Sequence, residues 1–355
     1  MKVREKAAAM KAQFEAAGAV AVDLPVLLPA ETLLDLYGED IRGRAYVTQD
    51  ALRGEMMLRP DFTVPVVKMH MADGAEPARY TYAGEIFRRQ DDHPDRPNEY
   101  LQVGYEVFDR ADPAKADAEV FALFNEAVAA LGLRAVTGDI SILLAAVEGL
   151  NTSAPRRAAL MRHIWRPRRF RGLLDRFGGR VPMPKSRALM AAGDVASDAP
   201  LTGLRSAAEI SARLEAIKVD ASEPPIASGA LDALETLLAV RETMPFALQR
   251  LRDIEVDLPS IAAAVDQLEA RCNALSNLGI DVDKLDFEAS YGRTSMEYYD
   301  GFVFGFHANQ RPELPAVASG GRYDALTRRL GQGAEIPAVG GVLRPGLMVE
   351  LETGS

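Results

Sequence analysis

Three residues in the first third of the chain have types and spacing that suit a polar binding pocket. Gln102, Gly104 and Glu106 alternate within the segment LQVGYE, and the two-residue period of a β-strand places them on one face. An amide, a bare backbone position and a carboxylate make a poor hydrophobic core, but they suit a pocket floor. The alternative is that this face is the solvated side of an antiparallel sheet.

A second pair of polar residues lies in the segment LRPDFT. Asp61 and Thr63 precede apolar residues at helical spacing, Val64, Val67 and Met71, so either one can cap a helix that begins there. Helix capping is the structural alternative to a binding role for both residues. The local pattern leaves the two interpretations open.

The strands that position these residues can be predicted from hydrophobic alternation. Residues 82–109 alternate in two runs around a polar, proline-containing loop at 91–97, which predicts an antiparallel hairpin with a long, mobile tip. Residues 44–48 and 55–58 can pair as strands around a polar turn. Strand patterning returns from Leu285 onward.

Helical patterns dominate the middle of the chain. A proline directly after Asp112 predicts a helix start, and Gly132 closes that helix. Residues 139–280 are helix-rich and lack strand alternation of any length. We therefore predict a sheet domain formed by residues 1–138 and 281–355, with residues 139–280 inserted as a helix-rich lobe.

Composition excludes several classes of protein. The 355 residues are 48% hydrophobic and 26% charged, which is ordinary for a globular protein, and the net charge of −10 disfavours nucleic acid and anionic membrane surfaces as partners. The single cysteine, Cys272, cannot form an internal disulfide, and no residues have the spacing of a zinc site. Neither a signal peptide nor a transmembrane run is visible. We expect a cytoplasmic protein without a metal or cofactor.

A basic stretch lies within the helix-rich region. In residues 162–177, RHIWRPRRFRGLLDRF, arginines interleave with Trp165 and Phe170. The basic cluster at 162–171 could clamp a phosphate backbone or an acidic partner surface. The alternative is a solvated helix face whose aromatic residues enter the core.

Six motifs occur in an order that resembles the catalytic domain of histidyl-tRNA synthetase. They are LRPDFT (58–63), FRRQ (87–90), LQVGYE (101–106), MEYYDGFVF (296–304), SGGRYDAL (319–326) and IPAVGG (336–341). The resemblance implies an α+β fold of the class II aminoacyl-tRNA synthetase type, an antiparallel sheet flanked by helices, normally dimeric. The helical middle is then a divergent insertion.

The resemblance also implies a pocket for free histidine. The residues at the positions that hold the ammonium group are Asp61, Thr63 and Gln102. The residues at the positions that hold the imidazole ring are Glu106, Tyr298 and Tyr299. An anion opposite an ammonium group makes a charge-assisted bond, and a carboxylate with a phenol can satisfy both ring nitrogens. Such a pocket rejects amino acids that lack those nitrogens.

The residues that form an adenylate depart from the family pattern. Arg88 matches the arginine that meets the ATP phosphate, so it remains a possible anion contact, but Gln90 replaces the expected glutamate. Two further arginines of the family are replaced by Thr294 and Leu347, and the neighbouring Arg293 would point to the opposite face of a strand. Losing one such cation commonly costs about 100- to 1000-fold in rate. Synthetase activity is therefore not expected.

A histidine pocket without adenylation residues resembles the regulatory subunits of ATP phosphoribosyltransferase. The chain ends at Ser355, shortly after the last motif, where the synthetase continues into an anticodon-binding domain, so tRNA is not an expected partner. The resemblance implies a non-catalytic subunit, a homodimer within a hetero-octamer with short-form catalytic subunits. It would enable their activity and mediate feedback inhibition by histidine in the first step of histidine biosynthesis.

Three other functions stay open at the level of sequence. They are a synthetase paralogue that activates an amino acid for a non-tRNA acceptor, an unusual histidyl-tRNA synthetase, and a structural scaffold. The sequence also leaves open which surface contacts the catalytic subunit, and whether histidine binds in the synthetase-like pocket or at a subunit interface.

Overall fold

The fold is organised around a central β-sheet, and the computed structural model describes residues 2–37, 39–90, 96–193, 202–293 and 298–354. The strands are β1 (Val20–Ala21), β2 (Leu27–Pro29), β3 (Val47–Asp50), β4 (Gly54–Leu58), β5 (Ala78–Phe87), β6 (Glu99–Phe108), β7 (Arg134–Asp139), β8 (Arg241–Thr243), β9 (Asp286–Glu288), β10 (Phe302–His307), β11 (Ala318–Arg322) and β12 (Ala338–Leu343).

Helices surround the sheet and fill the middle of the chain. They are α1 (Lys2–Ala16), α2 (Ala30–Tyr37), α3 (Thr63–Asp73), α4 (Pro113–Val128), α5 (Ile140–Glu148), α6 (Ala154–Arg162), α7 (Pro167–Phe177), α8 (Lys185–Ala192), α9 (Ala207–Ser222), α10 (Ser228–Leu238), α11 (Met244–Glu255), α12 (Ala262–Asn277), α13 (Asp324–Leu330) and α14 (Pro345–Thr353). Short 3-10 helices lie at Glu39–Gly43, Ala129–Leu131, Pro259–Ile261 and Val282–Lys284.

Nine of the described strands form the central sheet, in the order β1-β5-β6-β12-β11-β10-β7-β9-β8. Neighbouring strands are antiparallel except at β1–β5 and β7–β9, which pair in parallel. A small second sheet has the order β2-β4-β3. A mostly antiparallel sheet flanked by helices confirms the expected α+β architecture.

The hairpin that carries the candidate pocket residues is confirmed. Strands β5 and β6 pair antiparallel along their whole length, from Ala78 opposite Phe108 to Phe87 opposite Glu99. Residues 91–95 of the expected mobile tip lie outside the described residues. The predicted pairing of residues 44–48 with 55–58 is also present as β3 and β4.

One face of the central sheet is covered by α1 and α4. Phe14 of α1 lies with its ring centroid 5.3 Å from Tyr105 of β6 and 5.3 Å from Phe124 of α4. The side chain of Asp112 caps α4 by accepting a hydrogen bond from the backbone N–H of Lys115, which confirms the predicted helix start. Because side chains alternate along a strand, the neighbours of Tyr105 on β6 point to the opposite face.

The inserted region is helix-rich as expected, but it also contributes to the sheet. Strand β8 lies within residues 139–280 and pairs with β9 at the sheet edge. A buried ion pair joins α12 to α4, since Arg271 contacts Asp117 at 2.8 Å, and Arg271 also contacts Asp139 of β7 at 2.9 Å. Arg322 of β11 also contacts Asp117, at 2.7 Å. The proposed division of the chain after residues 138 and 280 stays a prediction.

The basic stretch forms the end of α6 and all of α7. Phe170 is buried in the core and Trp165 packs against it partly buried, whereas Arg168 and Arg169 are exposed. This part of α7 is therefore a solvated helix face over buried aromatic residues. Within the described part of the chain, no helix combines the length and apolarity needed to cross a membrane, and no group of side chains is suited to hold a metal ion.

Candidate functional site

A buried carboxylate lies at the centre of the candidate site. Glu106 of β6 is only 1% exposed and accepts three hydrogen bonds from side-chain hydroxyls. Tyr82 Oη lies 2.8 Å and Thr63 Oγ1 3.1 Å from Oε1, and Tyr323 Oη lies 2.6 Å from Oε2. Each carboxylate oxygen is thus held by at least one phenol, which fixes the orientation of the group.

The protonation of Glu106 is balanced near neutrality. Burial, and to a smaller extent the nearby charge of Asp61, raise the pKa of its carboxyl to about 7, although the three hydroxyl donors act in the opposite direction. The same environment raises the pKa of both phenols, Tyr82 and Tyr323, chiefly through burial, so they stay neutral donors. The site therefore offers a carboxylate without a cationic partner among its hydrogen-bond donors.

Glycine residues on neighbouring strands make room for this cluster. Gly104 lies opposite Tyr82, and a Cβ at position 104 would come within 2.1 Å of the tyrosine ring. Gly340 of β12 lies opposite Glu106, and a Cβ there would come within 1.5 Å of Oε2. The bare position at Gly104 is therefore not an open floor, because the ring of Tyr82 fills it.

Asp61 and Thr63 lie beside Glu106 at the start of α3. Asp61 is buried and accepts a hydrogen bond from the backbone N–H of Val64 at 3.3 Å, so it contributes to capping the helix. Thr63 is the first residue of α3 and donates to Glu106. The structure thus combines the two readings of this segment: the residue that helps to cap α3 also lies at the pocket.

Gln102 lies on the same face of β6, two residues from Gly104. It is 1% exposed, and its Oε1 is buried without a hydrogen-bond donor in the described part of the chain. A buried amide oxygen without a donor costs about 1–3 kcal/mol. Gln102 pairs with Gly84 of β5, whose missing side chain leaves room for Arg59 and Phe62. Its amide is therefore the clearest unsatisfied acceptor of the site.

The paired tyrosines close another side of the cluster. The rings of Tyr298 and Tyr299 lie 4.8 Å apart, and Tyr298 lies edge-on to Tyr323 at 6.2 Å. Burial raises the pKa of Tyr299, and the charges of Glu106 and Asp61 raise it further. Both tyrosines thus belong to the same cluster as Glu106.

The structure brings together the six residues that the sequence singled out, and it adds two. The six are Asp61, Thr63, Gln102, Glu106, Tyr298 and Tyr299. Sequence reasoning missed Tyr82 and Tyr323 as partners of the carboxylate. Tyr323 lies within the quoted motif SGGRYDAL, and Tyr82 could have been found as the strand residue able to fill the space at Gly104.

The arginines near the site have backbone partners. Arg88 is half-buried, and its Nε donates to the carbonyl oxygen of Pro60 at 2.7 Å. Arg344 donates from Nη1 to the carbonyl oxygen of Ala316 at 2.8 Å, and burial together with the charges of Arg88 and Arg96 lowers its pKa. Arg88 and Arg96 of the β5–β6 hairpin therefore lie close enough to Arg344, which follows β12, for their charges to affect it.

Arg293 faces away from the carboxylate cluster. Its Nε donates to the carbonyl oxygen of Ile164 at 2.9 Å, its guanidinium lies 4.9 Å from the ring centroid of Phe170, and burial lowers its pKa to about 10. From the sequence, we expected a strand to direct Arg293 to the opposite face. The structure places Arg293 in a turn, so the expected strand was wrong. Thr294, the aligned position, lies outside the described residues.

Comparison with known proteins identifies the relatives of this chain. A family model described as histidyl-tRNA synthetase matches residues 1–219 and 205–345. Proteins from Brucella anthropi and Brucella abortus, both named ATP phosphoribosyltransferase regulatory subunit, are each 33% identical to it, over 354 and 355 residues. These alignments cover 93% and 94% of this chain, and 93% and 92% of the relatives. The chain belongs to this family of regulatory subunits.

Solved structures show that this chain has a fold like that of histidyl-tRNA synthetase. A Bacillus halodurans protein described as an ATP phosphoribosyltransferase regulatory subunit/histidyl-tRNA synthetase has a TM-score of 0.68 at 21% identity, covering 99% of this chain and 79% of that one. Histidyl-tRNA synthetase from Nostoc sp. PCC 7120 has a TM-score of 0.66 at 17% identity, covering 99% of this chain and 72% of that one. At these identities the likeness concerns the fold alone.

Proposed function

We propose that the chain binds free histidine in the cluster around Glu106 and transmits this binding to a short-form catalytic subunit of ATP phosphoribosyltransferase. In this role it is a non-catalytic subunit of a hetero-octamer that the catalytic subunit needs for activity. Histidine then acts as the feedback inhibitor of the first step of histidine biosynthesis. The observation that supports this most directly is the buried carboxylate of Glu106, held by three hydroxyl groups.

Glu106 suits the imidazole ring of histidine. An ionised carboxylate accepts a hydrogen bond from one ring N–H, and a phenol donates to the other nitrogen when the ring is neutral. The paired tyrosines Tyr298 and Tyr299 supply such phenols within the same cluster. Amino acids without two ring nitrogens would leave these buried groups unpaired, so the pocket selects against them.

The ammonium group of histidine suits the other end of the candidate site. Gln102 offers an unsatisfied buried acceptor, and Asp61 offers a buried negative charge. A charge-assisted hydrogen bond to the ammonium group would offset the cost of burying both. Histidine binding would therefore supply the hydrogen-bond donor that the amide oxygen of Gln102 lacks in the described part of the chain.

Regulation requires two states of the assembly. Histidine can inhibit only if it binds the inactive state of the complex more tightly than the active state. The required preference is modest, because about 1–3 kcal/mol of coupling changes an affinity about 5- to 150-fold. The pocket lies on the central sheet, whose edge strand β8 belongs to the helix-rich region, so the two regions share one hydrogen-bonded framework.

The proposal is tested by reconstitution with a short-form catalytic subunit. Formation of phosphoribosyl-ATP is measured with each protein alone, with both, and with both plus histidine. We expect turnover to rise on mixing and to fall when histidine is added. Unchanged turnover in both comparisons would refute the regulatory role.

A second assay separates this function from amino-acid activation. ATP–pyrophosphate exchange is measured with the purified chain and histidine, and charging of tRNA is measured in parallel. We expect neither reaction, since the arginines that the synthetase positions at Thr294 and Leu347 are replaced. Exchange without charging would favour an enzyme that activates an amino acid for another acceptor, and charging would favour a synthetase.

A further inference from the structure

A large groove in the helix-rich region has no role in the histidine pocket. It has a volume of about 1760 Å³ and is lined by residues of α6, α7, α8 and α9 and by the segment just before α9. Small-molecule sites usually measure about 300–1,000 Å³. The groove is therefore larger than a typical metabolite site and has the size of a site for a protein segment.

The groove is strongly basic in an otherwise acidic protein. Among the lining residues that the structure describes, Asp220 is the single acidic side chain. The arginines that line the groove are Arg156, Arg162, Arg176, Arg187, Arg205 and Arg213. The whole chain carries a net charge of −10, so this local excess of positive charge runs against the average of the surface.

The positive charge is only partly neutralised within the chain. Asp220 is shared between Arg156, at 2.7 Å, and Arg187, at 2.9 Å. Arg176 stacks on Phe177 at 4.5 Å, and burial and the neighbouring arginines lower its pKa. The Nε atoms of Arg176 and Arg187 are buried without a hydrogen-bond acceptor in the described part of the chain. One buried arginine, Arg156, and two half-buried arginines, Arg176 and Arg187, thus face one carboxylate.

The wall of the groove formed by α9 carries an apolar stripe that is only partly buried. None of the residues of α9, a described helix of 16 residues, is buried. Ile210, Leu214 and Ile217 recur at helical spacing and all line the groove, and the adjacent Leu204 is fully exposed. An amphipathic helix normally buries such a stripe against another element. Within the described part of the chain, the groove thus combines a partly exposed apolar stripe with six arginines and one carboxylate.

We propose that this groove docks an acidic, amphipathic segment of the catalytic subunit. Carboxylates of that segment would pair with the arginines, and its apolar side chains would cover the stripe on α9. The inference rests on the proposed function, because it takes the catalytic subunit as the partner. A polyanion such as RNA is disfavoured, since the net charge of the chain repels it and the groove wall is apolar.

The test compares two variants with the same change in charge. Arg162→Glu/Arg213→Glu reverses two exposed arginines that line the groove, and Arg168→Glu/Arg169→Glu reverses two exposed arginines on α7 that do not. Affinity for the catalytic subunit is measured by titration at low and at physiological salt. We expect the dissociation constant to rise at least about tenfold for the groove variant and to change less than about twofold for the control.

An apolar substitution tests the other half of the interface. Leu204→Ser changes no charge and removes a side chain that is fully exposed in the isolated chain, so folding should be unaffected. We expect Leu204→Ser to weaken binding by the same factor at both salt concentrations, because it removes an apolar contact. The contribution of the arginines to the affinity, in contrast, decreases as salt is added. A Leu204→Ser variant with wild-type affinity would contradict the apolar contact.

The outcomes distinguish failure of the docking site from failure of the proposed function. If the wild-type chain does not bind the catalytic subunit at all, both are overturned. If the wild type binds and both charge variants bind equally well, only the docking site is overturned. Two other results would also overturn the docking site. In the first, the groove variant keeps its affinity for the subunit but loses binding to a short single-stranded RNA. In the second, it keeps that affinity but has a lower thermal stability as an isolated chain.

Discussion

The substitution Glu106→Gln separates the cost of the buried carboxylate from its use in binding. A carboxyl group has an ordinary pKa of 4.5, and burial raises that of Glu106 to about 7. At about 1.4 kcal/mol per pKa unit, the difference amounts to about 3 kcal/mol. Because the pKa is raised, the folded chain is most stable below the ordinary value, and this stability is lost as pH rises through about 7.

Two opposite effects follow for Glu106→Gln. The amide is never charged, so the isolated variant should be more stable than wild type at about pH 8, by up to about 3 kcal/mol, measured by urea unfolding. Histidine binding should weaken, since a hydrogen bond to a charged group contributes about 1.5–3 kcal/mol, equivalent to a dissociation constant about 10- to 100-fold higher by calorimetry.

Wild-type histidine affinity in Glu106→Gln would refute the reasoning about the pocket and move the effector site elsewhere. Lower stability of the variant at about pH 8 would show that the carboxylate is not strained by burial. Glu106→Ala should abolish histidine binding or inhibition and leave the oligomeric state of the chain unchanged. It is the less selective change, because it leaves the hydroxyls of Tyr82, Tyr323 and Thr63 without their acceptor.

Three further predictions follow from the same contacts. Histidine affinity should fall more than about tenfold between about pH 8 and pH 6, because both Glu106 and free imidazole take up protons in this range. Calorimetry at several pH values measures the affinity, and a flat profile in the wild type would contradict an ionised Glu106 in the complex. Asp117→Ala should destabilise the chain by about 3–5 kcal/mol, since it leaves Arg271 and Arg322 buried beside a lost partner; unfolding by urea with a change below about 1 kcal/mol would refute this. Gly340→Ala should abolish histidine binding, because its Cβ would collide with Glu106, whereas the control Gly346→Ala, with open space around it, should bind histidine normally. Calorimetry and circular dichroism compare the two variants, and equal affinities would refute the close approach of Gly340 to Glu106.

Much of the local structure could be predicted from the sequence because it depends on near neighbours in the chain. The alternation in residues 82–109 predicted the hairpin, and the proline after Asp112 predicted the start of α4. The shared face of Gln102 and Glu106 follows from the strand period alone. Contributions that cross the chain were harder to predict, and β8 shows why. Its three residues carry too little alternation to be recognised without the partner strand β9.

The sequence by itself determined the β5–β6 hairpin, the start of α4 and the polar face of β6, since alternation, caps and turns are encoded within a few residues. Only the tertiary structure decided which groups meet on that face. Tyr82 comes from the neighbouring strand, and Tyr323 lies 217 residues from Glu106. Their contact depends on strand order in the sheet, and no local pattern specifies that order.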